Sequence, residues 1–463
     1  MGDEDVSSYG HVRIRGRRAR HQLCAYRKVH PVDSSCSKPL QIGFVLSSAA
    51  TPWGRLAQGG ITLKIKKTYK GAAAASVSLA LIALGATTAG ATSRDRGNTP
   101  RPTLDVVAVL HGQDLRHTFG TAGAPVTGPL SGPDDLTYSG HELFVAFQNG
   151  VGPQGQPAGN GNTFSTVVGF SPSGRVLGQW DIAGHVDGLS ADPGSGRLVA
   201  TVNEDANSSL YVLDPGSGSM QHYSYDPSPL PHNGGTDAIS FYGDRILISA
   251  SAPGTPSSLN SDPAAAPQVQ YPAVYSVSLD PQTLVASVSP LFSDQASAIA
   301  ANGPERGQVV RLGLTDPDSN GVVPASSPRF AGDFVLDSQG DQQQIYVSDP
   351  GGPVQQLAVL SLDQAINDTA WATEAHGVLY ASDSSTDTVD AVTGTFNPGT
   401  AFVAATPCDA NAAPSTCTTA NFLGQLDLQT GHVGPVPLSG LPLAPGGLIF
   451  IPGGQGPSAG TKR

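Results

Sequence analysis

The chain has 463 residues and a formal net charge of −12, with 56 glycines and 38 prolines. The charge is divided: residues 1–70 hold 13 Lys/Arg against 4 Asp/Glu, whereas residues 71–463 hold 12 against 33, a net of −21. So acidic a domain repels polyphosphate, which argues against nucleic acid as a partner, and the near absence of helical periodicity argues against a helical bundle.

The first 62 residues carry Arg13, Arg15, Arg17, Arg18 and Arg20 among scattered His, Pro and Ser, with no apolar pattern. They read as a disordered leader, either the product of a start site assigned too far upstream or a basic tail able to meet nucleic acid or anionic lipid. Lys64, Lys66, Lys67 and Lys70 then precede an uncharged stretch from Gly71 to Ser93 that is most apolar over Val77–Leu84 and ends in Thr87-Thr-Ala-Gly-Ala91. Basic flank, short apolar segment and small-residue site make Leu63–Ala91 a secretory signal peptide, with a retained anchor as the alternative. No Cys stands directly after the cleavage point, which argues against a lipid anchor.

Residues 92–463 read as one exported domain. Its acids are almost all Asp, with Glu only at Glu142, Glu204, Glu305 and Glu374, and such a surface suits Ca²⁺. Its two cysteines, Cys408 and Cys417, flank a short polar loop, the pattern of a disulfide in an oxidising compartment.

A phrase recurs along this domain: an Asp, a short strand, a turn, and a strongly apolar strand closing on a polar residue. It runs Asp135–Asn149, Asp187–Asn203, Asp237–Ser251, Asp333–Asp349 and Asp368–Asp383. A second hairpin follows several copies, at Val167–Trp180, Ser209–Tyr225, Val274–Val288 and Leu423–Val436. Their turns mostly place Pro or Asp early and Gly late, as in Ser171-Pro-Ser-Gly174 and Asp214-Pro-Gly-Ser-Gly218, which suits a type I turn followed by a left-handed Gly. Two such hairpins make one four-stranded propeller blade, and residues 187–226 are the cleanest example. The expected fold is therefore all-β, a propeller of six blades (seven as the alternative). The segment 293–329 reads as an inserted loop or a degenerate blade. Leu104–Leu110 completes the last blade beside Gly446–Ile451 and closes the ring.

Phrases such as Asp187-Gly-Leu-Ser-Ala-Asp-Pro193 and Gly377-Val-Leu-Tyr-Ala-Ser-Asp383 give the domain a resemblance to extracytoplasmic bacterial propellers of the NHL-repeat and gluconolactonase-like kind. The resemblance implies a divalent metal in the channel, held by acidic and amide side chains and polarising an ester carbonyl. In this sequence it puts that role on Asn203, Glu204 and the channel Asp residues.

In an antiparallel hairpin the start of one strand lies beside the end of the next, so the leading Asp and the closing polar residue emerge on one face. Asp135, Asp187, Asp237, Asp333 and Asp368 are thus expected around the channel mouth. Asn149, Asn203, Glu204, Asp349 and Asp383 approach from neighbouring strand ends. Each Asp has two readings, a brace that accepts backbone N–H bonds or a member of a carboxylate site holding Ca²⁺ or another divalent metal. His185 and His232 precede two repeats and are either general bases or packed loop residues.

Other motifs match in letters only. Gly456-Pro-Ser-Ala-Gly460 has no following helix, Gly150–Gly155 reads as a flexible loop, and Asp316-Pro-Asp-Ser-Asn-Gly321 reads as a turn lacking the terminal Glu of a calcium loop. The expected function is ligand binding at the channel face of a monomeric, exported propeller, the partner being a small molecule, glycan or protein. The alternative is a divalent-metal-dependent lactonase or hydrolase of gluconolactonase-like type. N-terminal sequencing of exported protein is expected to read from Thr92 or a near neighbour, and an intact leader on membrane-bound protein would show an anchor instead.

Overall fold

The middle strands of this chain are apolar on both faces. Leu198–Val202 and Ala401–Ala405 are buried at every residue, as are Leu143–Phe147 within Glu142–Phe147. Strands of this kind need a packing partner above and below, so their sheets must stack face to face. The computed structural model describes residues 103–119, 126–253 and 270–453, and they form that arrangement. The leader, the signal segment Leu63–Ala91 and Gly456–Gly460 lie outside the described residues. Among the described residues there is no α-helix, and no helix is long and apolar enough to cross a membrane.

The architecture is all-β, propeller-like and mostly antiparallel. Pro133–Ser139, Glu142–Phe147, Phe164–Phe170 and Val176–Ala183 form one sheet in chain order. Val186–Ala191 to Ser219–Asp226 and Thr236–Tyr242 to Val285–Ser293 repeat the same order, and their outermost strands join in parallel through Ser224–Asp226 and Val285–Ser287. Pro133–Ser139, Val186–Ala191, Thr236–Tyr242, Pro317–Val322, Ile366–Trp371 and Leu448–Pro452 each lie at an edge of their sheet. Each of these inner strands contacts the next, and the last contacts the first, so together they surround a channel.

Apolar layers fill the spaces between successive sheets. One holds Phe144, Val167 and Ile182 against Leu189, Leu198 and Leu213. The next holds Val199, Leu210 and Tyr223 against Ile239, Ile248 and Tyr275. Full burial of a side chain of this size is worth about 1.5–3 kcal/mol, and these layers hold the ring together. The turns behave as their residues require: Gly174, Gly196, Gly218 and Gly431 all have φ between 69° and 83°.

Three sequence expectations change. Residues 293–329 are not an inserted loop, because Ser297–Ala300, Val309–Arg311 and Pro317–Val322 are strands of one sheet. The inner strand there is Pro317–Val322, so Asp333 precedes the second strand, Phe334–Ser338, instead of the first. The phrase Asp368–Asp383 is split between sheets. Ile366–Trp371 pairs with Ala401–Ala405, while Gly377–Asp383 pairs with Leu448–Pro452. The strand Leu104–His111 lies in that last sheet, antiparallel to Thr388–Thr393, so early and late segments of the domain share one sheet. Cys408 and Cys417 form the disulfide, with Cα atoms 5.4 Å apart.

Inner strands approach so closely that Gly188 has no room for a side chain. An added Cβ would lie 2.7 Å from the Asp237 carbonyl, the Ala238 Cα and the Thr201 hydroxyl. Gly188→Ala is therefore expected to destabilise the domain by about 1–3 kcal/mol, read as a lower Tm, and an unchanged Tm would show slack between these strands.

Candidate functional site

Five inner strands carry a β-bulge, one residue more than the strand they pair with, at the same place near their start. The register slips between Pro133 and Leu136, Val186 and Leu189, Thr236 and Ile239, Pro317 and Asn320, and Ile366 and Asp368. A bulge turns side chains away from the alternating pattern. Here it turns Asp134 and Asp135, Asp187, Asp237, Asp318 and Ser319, and Asn367 and Asp368 to the channel mouth. These residues, with Gln148, His185, Glu204, Asp316 and Gln339, line a cavity of about 260 Å³.

The carboxylates are not equivalent. Asp135 accepts from the N–H of Leu136 and, across to the next inner strand, from that of Leu189, both at 2.7 Å. Asp368 does the same with Thr369 and Leu448, both at 2.6 Å. These two are braces. The residues facing them on the paired strand are Ala146 and Ala404, which offer no polar side chain.

At the next two inner strands a hydroxyl provides the link. Thr201 donates to the Asp237 carbonyl and Ser249 to the Asp318 carbonyl, both at 2.5 Å. Farther round, Thr369 donates to the Asp337 carboxylate at 2.9 Å. With the strands fastened in this way, no backbone N–H among the described residues bonds the side chains of Asp187, Asp237 or Asp318. Asp187 accepts only from Gln148, at 3.3 Å, and its Oδ2 is buried without a partner.

His185 stands beside this unbraced group. Its Nδ1 lies 2.6 Å from the carbonyl of Val151, which can only accept, so Nδ1 carries the proton and Nε2 presents a lone pair. Nε2 faces Asp187 Oδ1 at 3.8 Å and Glu204 Oε1 at 3.6 Å. One ligand atom from each of these three residues lies within 4.8 Å of the others, a group that can hold a metal ion. A ring N–H given to a backbone carbonyl is also how metal-ligating histidines are oriented.

Burial acts on every acid here, and mutual repulsion adds to it at all but Asp368. Burial pushes Asp134 up to about 6 and Glu204 up to about 7, with neighbouring carboxylates adding to both. Burial, followed by the charges of nearby acids, raises Asp187, Asp237 and Asp318 well above the usual carboxylate range. Burial lowers His185 despite its bond to Val151, which disfavours an imidazolium as the neutralising charge.

Of the residues expected at the site, Asp135, Asp187, Asp237, Asp368 and Glu204 line the cavity. Asp333 is outside it because its strand is not the innermost. Asn203 is also outside, since its side chain accepts from the His185 N–H and donates to the Asn207 carbonyl, holding the loop. Asn149 likewise ties Ser131 to Thr166, Asp349 is exposed, and Asp383 caps Ala444 and Ser385. His232 is locked between Tyr275 and the Gly235 carbonyl, and burial lowers it to about 4. The sequence reading missed Asp134, Asp316 and Asp318, although Pro317-Asp318-Ser319 repeats the Asp-plus-small-residue signature of Asp187-Gly188 and Asp237-Ala238.

No protein-family model matches the chain, and no curated protein matches it in sequence. Solved structures similar to it include a periplasmic gluconolactonase of Pseudomonas aeruginosa, PpgL, at 14% identity, covering 75% of this chain and 99% of that one with a TM-score of 0.38. A Bacteroides thetaiotaomicron protein of unknown function is 8% identical, covering 76% of this chain and 72% of that one, with a TM-score of 0.40. The Pan2 WD40 domain of Neurospora crassa is 12% identical, with 61% and 75% covered and a TM-score of 0.30.

The two kinds of carboxylate predict opposite mutant phenotypes. Asp135→Ala should lower stability by about 1–3 kcal/mol, because it removes two backbone hydrogen bonds. Asp187→Asn should raise the Tm of metal-free protein by removing a buried, repelled charge. Equal losses of Tm in both variants would mean that both residues are braces.

Proposed function

We propose that the chain is an exported, six-bladed propeller whose channel mouth holds a divalent cation on His185, Asp187 and Glu204 and binds a small ligand there. The observation that carries the reading is the His185 lone pair aimed between two carboxylates, one of which has an oxygen with no other partner. Lone pairs so directed repel one another unless a cation lies between them. The blade count is supported by the closed succession of six inner strands, and export by the signal-like segment and the disulfide.

An imidazole ligand moves the choice of metal. Ca²⁺ takes oxygen donors, whereas His with two carboxylates suits Zn²⁺, Mn²⁺ or Fe²⁺. When bound, such an ion supplies Lewis-acid polarisation of a ligand oxygen. The chain's own part is to fix the His185 tautomer through Val151, to keep Asp187 buried and Glu204 half-buried, and to present Asp237 beside them.

Asp237 favours a second reading, hydrolysis of a lactone or ester. Its carboxyl is unbraced and lies against Asp187, and burial with the charges of nearby acids raises it well above the usual carboxylate range, the direction a general acid requires.

Melting in EDTA, then with Mn²⁺, Zn²⁺ or Ca²⁺, separates these readings. Mn²⁺ or Zn²⁺ should raise the Tm more than Ca²⁺ does, and His185→Ala and Glu204→Ala should each abolish the rise. The sign with pH follows from the raised carboxyls. Their contribution is fully present below about 4.5, the usual Glu value, and is lost as pH climbs through about 7 in metal-free protein. The metal-induced rise should therefore grow from pH 5 to 8. No metal response at any pH would leave His185 as a packed loop histidine. Turnover of a lactone and ester panel that Asp237→Asn removes, with the metal response intact, would establish the hydrolase.

A further inference from the structure

The side-chain donors around the cavity are nearly all taken up within the protein. Gln148 Nε2 gives its two N–H groups to Asp134 and Asp187, and Gln339 Nε2 gives its two to Asn367 and Thr406. Asn367 Nδ2 reaches the Gly446 carbonyl, the Ser319 hydroxyl donates to Asp337, and His185 Nδ1 donates to Val151. The backbone N–H of Gly447 goes to Ser382. One amide hydrogen of Asn367 is the remaining side-chain N–H among the described lining residues. The acceptors are the reverse: among the described residues Asp237 and Asp318 receive no bond from a backbone N–H, and Asp187 Oδ2 is buried without a partner in a residue that is 9% exposed.

Charge points the same way by a separate route. Eight carboxylates line the cavity, and no Lys or Arg does so among the described residues. One divalent ion balances Asp187 and Glu204 and leaves the wall formed by Asp316 and Asp318 uncompensated. The charges that act on Asp318 are all acids: Asp316, Asp187, Asp134 and Glu204. The exposed Asp205, with Asp341 and Asp409, extends the negative field past Asp316 toward solvent.

Resting on the reading of this mouth as a ligand site, we infer that its ligand is a small organic cation, an ammonium group beside hydroxyl or carbonyl oxygens. Three N–H donors on a positive centre match side chains that present mainly oxygen acceptors, and a neighbouring oxygen is what a metal on the His185 side would receive. A phosphate or carboxylate group would meet no free side-chain donor on the Asp316–Asp318 wall and would be repelled by its carboxylates. A neutral polyol would find hydrogen bonds there without the Coulomb attraction.

Three open-chain six-carbon probes that differ chiefly in charge test this: glucamine (cationic), sorbitol (neutral) and gluconate (anionic). Each is titrated calorimetrically into the Mn²⁺-loaded protein at low ionic strength. Glucamine should bind at least roughly tenfold more tightly than sorbitol, and gluconate more weakly than sorbitol, as expected for one partly desolvated ion pair. Asp318→Asn and, at the rim, Asp316→Asn should each cut that preference to roughly threefold or less while the Mn²⁺-induced rise in Tm stays as in the parent. Two variants are used so that loss of folding in one does not decide the result. Equal binding of glucamine and sorbitol, tighter binding of gluconate, no binding of any probe, or a preference untouched in both variants would overturn the inference. An Mn²⁺ response without the preference refutes the ligand class alone, and the preference without an Mn²⁺ response refutes the metal reading alone.

Discussion

The bulged inner strands of this ring must be fastened to their neighbours where the bulge interrupts regular pairing. The structure does this with polar links, two at some junctions, and the choice of link decides which acids are free. Where the paired strand offers Ala146 or Ala404, the leading Asp reaches across and takes the neighbouring N–H itself. Where it offers Thr201 or Ser249, the hydroxyl makes the crossing and the carboxylate is left unbraced. A repeated structural position thereby becomes unequal without any change in backbone.

That inequality concentrates unpaired charge in one sector of the channel. Asp187, Asp237 and Asp318 are brought together by strands that the apolar layers hold rigidly, so the acids cannot move apart to relieve repulsion. Their raised proton affinities are the thermodynamic sign of that constraint. His185 adds directionality, because the bond to Val151 fixes which nitrogen faces the cluster. The same fastening leaves side-chain acceptors in excess of side-chain donors around the cavity.

Segment 317–322 shows why pattern reading failed locally. Pro317-Asp318-Ser319-Asn320-Gly321 contains mostly turn-forming residues, and its strand pairs only along one edge. It holds as a strand because Asn320 donates to the Ala238 carbonyl and the Ser249 hydroxyl, while Ser249 holds the Asp318 carbonyl. All three contacts come from a sheet distant in sequence, so no window along the chain contains the cause. Asp333, placed by pattern at the mouth, precedes a more typical apolar strand that the ring puts one step outward.

The sequence by itself determined the all-β class, the hairpin turns with their left-handed glycines, the disulfide and the clustering of Asp135, Asp187, Asp237, Asp368 and Glu204. These follow from local rules: alternation, turn chemistry, and the adjacency of strand ends in an antiparallel pair. Only the tertiary structure decided which of those acids brace and which remain free, that Asp134, Asp316 and Asp318 join them, that Asp333 and Asn203 do not, and that His185 turns Nε2 toward Asp187 and Glu204. The reason is physical: a carboxylate's role depends on whether a hydroxyl on the paired strand has already fastened the next one. That relation spans about fifty residues in sequence, as from Asp135 to Leu189, and a few ångströms in space.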